Sequence, residues 1–125
     1  MDISYEMKEE YLYFKVTGDF NDKKDFPQIV NIVDITKKQN YSCLLIDVKE
    51  LNYHFNTTQR FSLSEHWVSL CKDAGWIKTA ILGKKEIMDT FSEDIITNRG
   101  VEFRLFSNEQ EAINWLQKKS YQMSI

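Results

Sequence analysis

Few residues in this sequence have the types and spacing that catalysis or metal binding requires. The two histidines, His54 and His66, and the two cysteines, Cys43 and Cys71, are widely separated. Metal sites place such ligands at short, regular intervals, and no such interval occurs here. A nucleophilic Cys–His pair is also disfavoured, because His66 and Cys71 fall on different faces of one predicted helix. The sequence therefore predicts no metal, no cofactor and no enzymatic activity.

Three positions next to predicted strands remain as candidate contacts. His54 follows the predicted central strand, in a loop where a ligand could be contacted, although a solvated histidine is the plain alternative. Lys84 and Lys85 stand where a strand passes into a helix, and their ammonium groups could hold an anion or simply be solvated. Asp47 is the one acid inside an apolar run, and we expect it to end its strand by hydrogen-bonding the next turn.

Aromatic residues on the predicted helices permit two interpretations. Phe61, Trp67 and Phe91 could fill the core, or they could line a pocket for a small apolar ligand between the helices. A cavity of several hundred Å³ would favour the ligand, and solid packing would favour a protein partner. Tyr11 and Tyr13 could stack on bases, but the net charge of −3 argues against a nucleic-acid partner.

The elements that position these residues alternate along one domain, residues 1–125. With 42% hydrophobic and 28% charged residues, a chain of 125 residues can bury a sizeable core. Apolar periodicity and capping residues predict the order ββαβαβαβα, an α/β fold. The predicted elements are strands around Ile3 and Leu12, a helix from Phe26 to about Gln39, a strand over Cys43–Val48, a helix from Asn56 or Thr57 to Gly75, a strand over Ile77–Leu82, a helix ending at Gly100, a strand over Val101–Leu105 and a helix over Glu109–Lys119.

The outer strands each carry one polar side, which indicates helices mainly on one face of the sheet. We therefore expect a five-stranded, mostly parallel sheet with an antiparallel N-terminal hairpin, its strands in sequential order. The other face would be uncovered, and a homodimer formed through it is favoured over a monomer. The residues expected there are Tyr11, Tyr13, Leu45, Leu82 and Phe106, among Lys15, Lys78, Glu102 and Arg104.

No segment predicts a membrane span, because apolar runs such as Cys43–Ile46 are far too short. The acidic N-terminal segment does not have the pattern of a signal peptide. We therefore expect a cytoplasmic protein with reduced cysteines.

Four segments resemble the SpoIIAA-like proteins of the STAS/Sec14-like group, relatives of anti-anti-sigma factors. They are Gly18–Phe20, Leu44–Val48, Ala80–Lys85 and Phe106–Leu116. The resemblance implies a βα superhelical fold that acts by binding proteins or apolar ligands, and no one reaction. It favours a non-catalytic regulatory or protein-interaction module, whose partner is another protein or a second copy of the chain. A carrier or sensor of a small apolar ligand is the alternative.

Anti-anti-sigma factors carry a phosphorylatable serine at the start of the helix after the central strand. The matching positions here are Thr57 and Thr58, after Asn56, although Asn56–Gln59 replaces the family's Asp-Ser-Ser-Gly pattern. A phosphate there would be stabilised by the positive end of the helix. The alternative is that Asn56 or Thr57 only caps the helix.

Overall fold

The computed structural model describes residues 1–84 and 91–118, except for the side chains of residues 22, 23 and 91. Its elements follow the predicted order, which confirms the α/β fold class. They are β1 (Asp2–Met7), β2 (Leu12–Asp19), α1 (Asp22–Lys38), β3 (Cys43–Asn52), α2 (Thr57–Asp73), β4 (Lys78–Leu82), α3 (Phe91–Asn98), β5 (Phe103–Phe106) and α4 (Glu109–Gln117).

The strands form one five-stranded sheet in the order β1-β2-β3-β4-β5. β1 and β2 pair antiparallel as the predicted hairpin, and every other pairing is parallel. β3 lies in the middle, where Leu44 is opposite Leu12 of β2 and Thr79 of β4. The sequential order is confirmed, because each crossover helix returns the chain to the next position in the sheet.

Three helices cover one side of the sheet, which we call the front face. This face carries Leu12 and Phe14 of β2, Leu44 of β3 and Phe103 of β5. Because each of these helices joins two parallel strands with the same preferred hand, they lie on one side. Their buried contributions to the main core are Ile32 and Val33 of α1, Trp67, Val68 and Cys71 of α2, and Ile96 of α3.

The fourth helix lies on the opposite side, the back face. Beneath Ala112 and Leu116 of α4, Leu45, Ala80 and Leu82 are fully buried in a second apolar cluster. The expectation of an uncovered back face is therefore wrong over β3, β4 and β5, and a homodimer formed through that part loses its basis. The back face of β1 and β2 is not covered by α4, but its residues are mostly polar, such as the exposed Ser4, Glu6 and Lys15.

A buried lysine fastens the end of α4 to the sheet. The Lys78 ammonium donates hydrogen bonds to the backbone oxygens of Trp115 at 2.8 Å and Lys118 at 3.0 Å. It also lies 3.7 Å from a Glu102 carboxylate oxygen and 4.5 Å from the centroid of the Trp115 ring. Lys78 and Glu102 were expected on an open surface, but both are buried because α4 covers them.

Candidate functional site

The loops that follow β2 and β3 lie beside residues 83 and 84, which follow β4, at the edge of the sheet where α1 and α2 begin. The register pairs Asp19 with Asn52, so the first two loops leave the sheet side by side. Asn56 caps α2 by accepting a hydrogen bond from the Gln59 backbone N–H at 2.8 Å, and the Gln59 side chain accepts from the Asn56 N–H at 2.9 Å. In open α/β sheets, ligands bind outside this carboxyl edge of the strands.

A cleft of about 530 Å³ opens at this edge, between the front face of the sheet and α1, α2 and α3. Most of its lining side chains are aliphatic or aromatic, and a few polar groups stand among them. The lining includes Val16, Ile46, Val48, Ile81, Phe103 and Leu105 from the strands, Ile29, Ile32, Leu63, Trp67 and Ile96 from the helices, and Phe20, Tyr53, His54, Phe55 and Arg60 at or near the loops.

Three aromatic residues of this cleft lie in contact with one another. The Phe20 and Phe55 rings meet edge to face with centroids 5.2 Å apart, and Tyr53 stacks on Phe55 at 5.2 Å. These three residues were not predicted as site residues. The available signal was the alternation of aromatics at 53 and 55 directly after an apolar strand, together with Phe20 directly after the neighbouring strand.

The aromatic residues that were predicted to line one pocket do not all lie together. Trp67 lines the cleft, and its indole N–H donates to the Thr79 hydroxyl at 3.2 Å. Phe61 is on the same helix but is 48% exposed and is not among the residues that line the cleft. The side chain of Phe91 lies outside the described residues.

The other candidate contacts also occupy different places. His54 is exposed and lies among the residues that line the cleft. Lys84 is exposed after β4, next to the buried Gly83, and Lys85 lies outside the described residues. Thr57 and Thr58 are exposed in the first turn of α2, directly after the capping Asn56.

The thiols are poorly suited to nucleophilic chemistry. Burial raises the pKa of the Cys71 thiol to about 12, and burial also raises the pKa of Cys43. Because the thiolate is the nucleophilic form, neither cysteine is activated near neutral pH. His66 is exposed, its ring and that of Phe26 pack edge to face with centroids 4.9 Å apart, and its Nδ1 lies 2.9 Å from the Ser62 backbone oxygen.

Asp47 is held inside the sheet and does not end its strand. It accepts hydrogen bonds from the Tyr13 hydroxyl at 2.7 Å and from the Lys49 backbone N–H at 3.0 Å, while β3 continues to Asn52. The expectation that it terminates the strand is wrong, because its partner comes from the neighbouring strand. Burial and the hydrogen bond to Asp47 raise the pKa of Tyr13.

The described residues, 1–84 and 91–118, contain neither a cluster of metal-type ligands nor a helix suited to a membrane. Within them, no group of three or more histidine, cysteine or acidic side chains could hold a metal ion. No helix in that part of the chain has the length and hydropathy needed to cross a membrane.

Comparison with known proteins gives a family and a fold. A family model described as SpoIIAA-like matches residues 11–117. No curated protein matches the chain.

Similar solved structures share the fold at low identity. A protein of the DUF3478 family with a SpoIIAA-like fold, from Shewanella loihica, has a TM-score of 0.59 at 21% identity, with 92% of each chain covered. An anti-sigma factor antagonist from Mycobacterium paratuberculosis has a TM-score of 0.59 at 13% identity, with 94% of each chain covered. The anti-sigma factor antagonist SpoIIAA in its unphosphorylated form has a TM-score of 0.57 at 15% identity, over 94% of this chain and 100% of that one.

Proposed function

This chain belongs to the SpoIIAA-like family, and from that premise we propose that it is a non-catalytic regulatory module that acts by binding another protein. The observation that carries the proposal is the family match over residues 11–117. Two proteins of the same fold are anti-sigma factor antagonists, which is a regulatory role. The raised pKa values of the half-buried Cys43 and the buried Cys71 are in keeping with a role other than nucleophilic catalysis. We place the protein in the cytoplasm, where free cysteines such as these stay reduced.

The partner surface that we propose is the exposed start of α2. Thr57, Thr58 and Phe61 are all exposed, and residues three or four positions apart share one side of a helix. Phe61 is the apolar centre of this patch, since nearly half of its side chain is in contact with solvent. Aromatic residues, phenylalanine among them, are enriched at protein–protein interfaces relative to the rest of the surface.

The same surface offers a place for regulation. A phosphate on Thr57 or Thr58 would add about 1.5 to 2 negative charges within the first turn of α2. The partial positive charge at the start of a helix would stabilise it there, and the Phe61 patch would become strongly anionic. We propose that such a modification weakens partner binding. The alternative is that the two threonines only begin the helix that Asn56 caps.

The test begins with a photo-reactive amino acid at position 61, which would link the partner so that it can be purified and its affinity measured. We expect Phe61→Ala to weaken binding by at least about tenfold, as for a residue that dominates an interface. Trp76→Ala is the matched control, because Trp76 is a similarly exposed aromatic, 44% against 48%, and lies outside the patch. Equal losses for the two variants, or no loss for Phe61→Ala, would contradict this choice of surface.

The threonines are tested separately with the same partner. Thr57→Glu and Thr58→Glu should weaken binding, and Thr57→Ser and Thr58→Ser should not. If both glutamate variants bind like the wild type, the modification proposal is wrong while the interaction surface still stands.

A second function, the binding of a small apolar ligand, is favoured by the cleft. Its volume of about 530 Å³ is in the range of small-molecule sites, which are typically about 300–1,000 Å³. Apolar side chains dominate its lining, and His54 and Arg60 provide polar groups. The occupant that fits this lining is an apolar molecule with at most one polar end.

Native mass spectrometry of the purified protein tests the second function. We expect a retained small molecule, and binding of an anilinonaphthalene sulfonate dye once that molecule has been removed. Leu63→Trp should fill the cleft and abolish both signals. Phe61→Trp, on the outer side of the same helix, should leave both unchanged. An unoccupied protein whose dye binding is insensitive to Leu63→Trp would exclude this function.

A further inference from the structure

One edge of the sheet is open. Within the described residues, 1–84 and 91–118, β1 pairs only with β2, so the backbone N–H and C=O groups on the other side of this six-residue strand have no partner in that part of the chain. The other edge is shorter and is partly blocked, because the Leu105 backbone N–H of β5 donates to a Glu93 carboxylate oxygen at 2.9 Å. An exposed edge strand of this length is a template for pairing with another chain.

The open edge also carries exposed apolar side chains. Tyr5 is 46% exposed and Met7 is 60% exposed. Their cross-strand partners are Phe14 and Leu12 of the front face, so Tyr5 and Met7 lie on the front side of β1. Burial of these side chains against an added strand would remove apolar surface from water.

We propose that two copies of this chain pair antiparallel through their β1 strands, with Tyr5 of one copy opposite Tyr5 of the other. A two-fold axis at Tyr5 makes the interface self-complementary and extends one sheet across both copies. This surface includes none of the α2 residues proposed for partner binding and none of the back face that α4 covers.

The side chains of β1 favour this register. With the axis at Tyr5, Ile3 of each copy is opposite Met7 of the other on the front side. On the back side, Asp2 is opposite Lys8, which brings opposite charges together twice in each dimer. Within one copy the Lys8 ammonium lies 3.2 Å from a Glu6 carboxylate oxygen.

The neighbouring registers are less favourable. The front sides of the two β1 strands coincide only in registers that differ by an even number of residues. A shift of one residue would move every side chain of one strand to the opposite face of the sheet. An axis at Ser4 places Asp2 opposite Glu6 twice, and an axis at Glu6 places Glu6 opposite itself. Like charges directly opposite one another destabilise a strand pair. Charge complementarity therefore selects the axis at Tyr5.

Sedimentation equilibrium with charge reversals tests the dimer and its register. The wild type should form dimers at tens to hundreds of micromolar. Asp2→Lys and Lys8→Asp should each raise the dimer Kd about tenfold, because each change replaces two attractions by two repulsions. The double variant Asp2→Lys/Lys8→Asp should return the Kd close to the wild-type value. A wild type that stays monomeric at hundreds of micromolar, or a double variant no better than the singles, would overturn the proposal.

Cysteine cross-linking gives an independent measurement of the register. Directly opposed residues have Cβ atoms about 4.5–5.5 Å apart, whereas diagonal ones are about 7–8 Å apart. On mild oxidation, Tyr5→Cys should therefore form a covalent dimer faster than Ser4→Cys, Glu6→Cys or the wild type with its two native cysteines. Faster linkage through position 4 or 6 would show the register to be wrong. Circular dichroism melts of each variant establish that it is folded, and the charge reversals test the proposal even if Tyr5→Cys is unstable.

Discussion

Trp76 adopts a backbone conformation that residues other than glycine rarely take, with a φ of 65° directly after Gly75 at 96°. The left-handed conformation costs a non-glycine residue roughly 1–2 kcal/mol. The surrounding contacts offset part of this cost, because Lys72 lies 5.2 Å from the centroid of the indole ring and Gly100 lies beside it. The Trp76 side chain therefore packs the turn after α2 against the turn after α3.

Gly75 and Gly100, which lie in these two turns, allow a direct comparison of the same substitution. Gly75→Ala and Gly100→Ala should each lower the free energy of unfolding by about 1 kcal/mol, because both glycines have a positive φ. The new methyl group meets nothing within 4 Å at position 75 and lies 3.6 Å from the Trp76 ring at position 100. We therefore expect Gly100→Ala to be no more destabilising than Gly75→Ala in urea titrations. A larger loss at position 100 would show that the ring crowds that turn.

The buried Cys71 thiol makes stability depend on alkaline pH. Burial raises its pKa from 9.0 to about 12, so above pH 9 the unfolded chain loses this proton while the folded chain keeps it. Stability that is fully present below pH 9 is then lost as the pH rises, at up to about 1.4 kcal/mol per pH unit. Urea titrations at pH 8, 9 and 10 should show this decline, and Cys71→Ala should show a shallower one. If the free energy of unfolding falls equally steeply with pH in the wild type and in Cys71→Ala, groups other than Cys71 cause the decline.

Among the elements, α4 shows most clearly what the sequence could not predict. Its apolar stripe indicated a buried side but not which face of the sheet would bury it. A preferred hand applies to helices that connect two parallel strands, as α1, α2 and α3 do. α4 follows the last strand of the described sheet, so that rule does not restrict it. By contrast, β3 was predicted as central because its apolar run covers both of its faces.

The attachment of α4 depends on the buried Lys78–Glu102 pair. Lys78→Met removes the hydrogen bonds to the end of α4 and the ion pair with the buried Glu102 carboxylate. We expect a loss of about 3 kcal/mol in urea unfolding, as when one partner of a buried ion pair is removed. The double variant Lys78→Met/Glu102→Leu should be more stable than the single variant. If it is less stable, the ion pair is not the main role of Glu102.

The central strand gives a second prediction for the elements. Ile46 is buried in the front cluster between β2 and β4. Ile46→Ala should therefore cost roughly 2–5 kcal/mol in urea unfolding. Tyr5→Ala, on the exposed edge strand, is the control and should cost less. If Ile46→Ala lowers the free energy of unfolding by less than about 1 kcal/mol, Ile46 is not a packed core residue.

Across the whole molecule, the fold was more predictable than the site. Element order follows from local periodicity, which the sequence displays directly. The aromatic group of Phe20, Tyr53 and Phe55 depends on the register that pairs Asp19 with Asn52. Register is a relation between distant segments, and one sequence does not reveal it. The separation of Phe61 from Trp67 follows from their spacing, because residues six apart on a helix point about 120° away from each other. Which of the two faces the cleft depends on how α2 is rotated against the sheet.

The two-sided core predicts a gradient of local stability across the sheet. Leu44 contributes to the front cluster and Leu45 to the back cluster, so β3 is buried from both sides. Its amides should exchange with solvent only by global unfolding, while those of β1 exchange faster at low protein concentration. Hydrogen exchange followed by NMR measures both rates. Equal protection in β1 and β3 in dilute samples would contradict this gradient.

The position of α4 in the chain also has a consequence for synthesis. Ribosomes release the strands first, so Leu45, Ala80 and Leu82 emerge before the helix that buries them. Until α4 follows, the nascent sheet presents an apolar surface on which chaperones or other nascent chains can adhere. A message truncated after β5 would therefore yield an aggregating product.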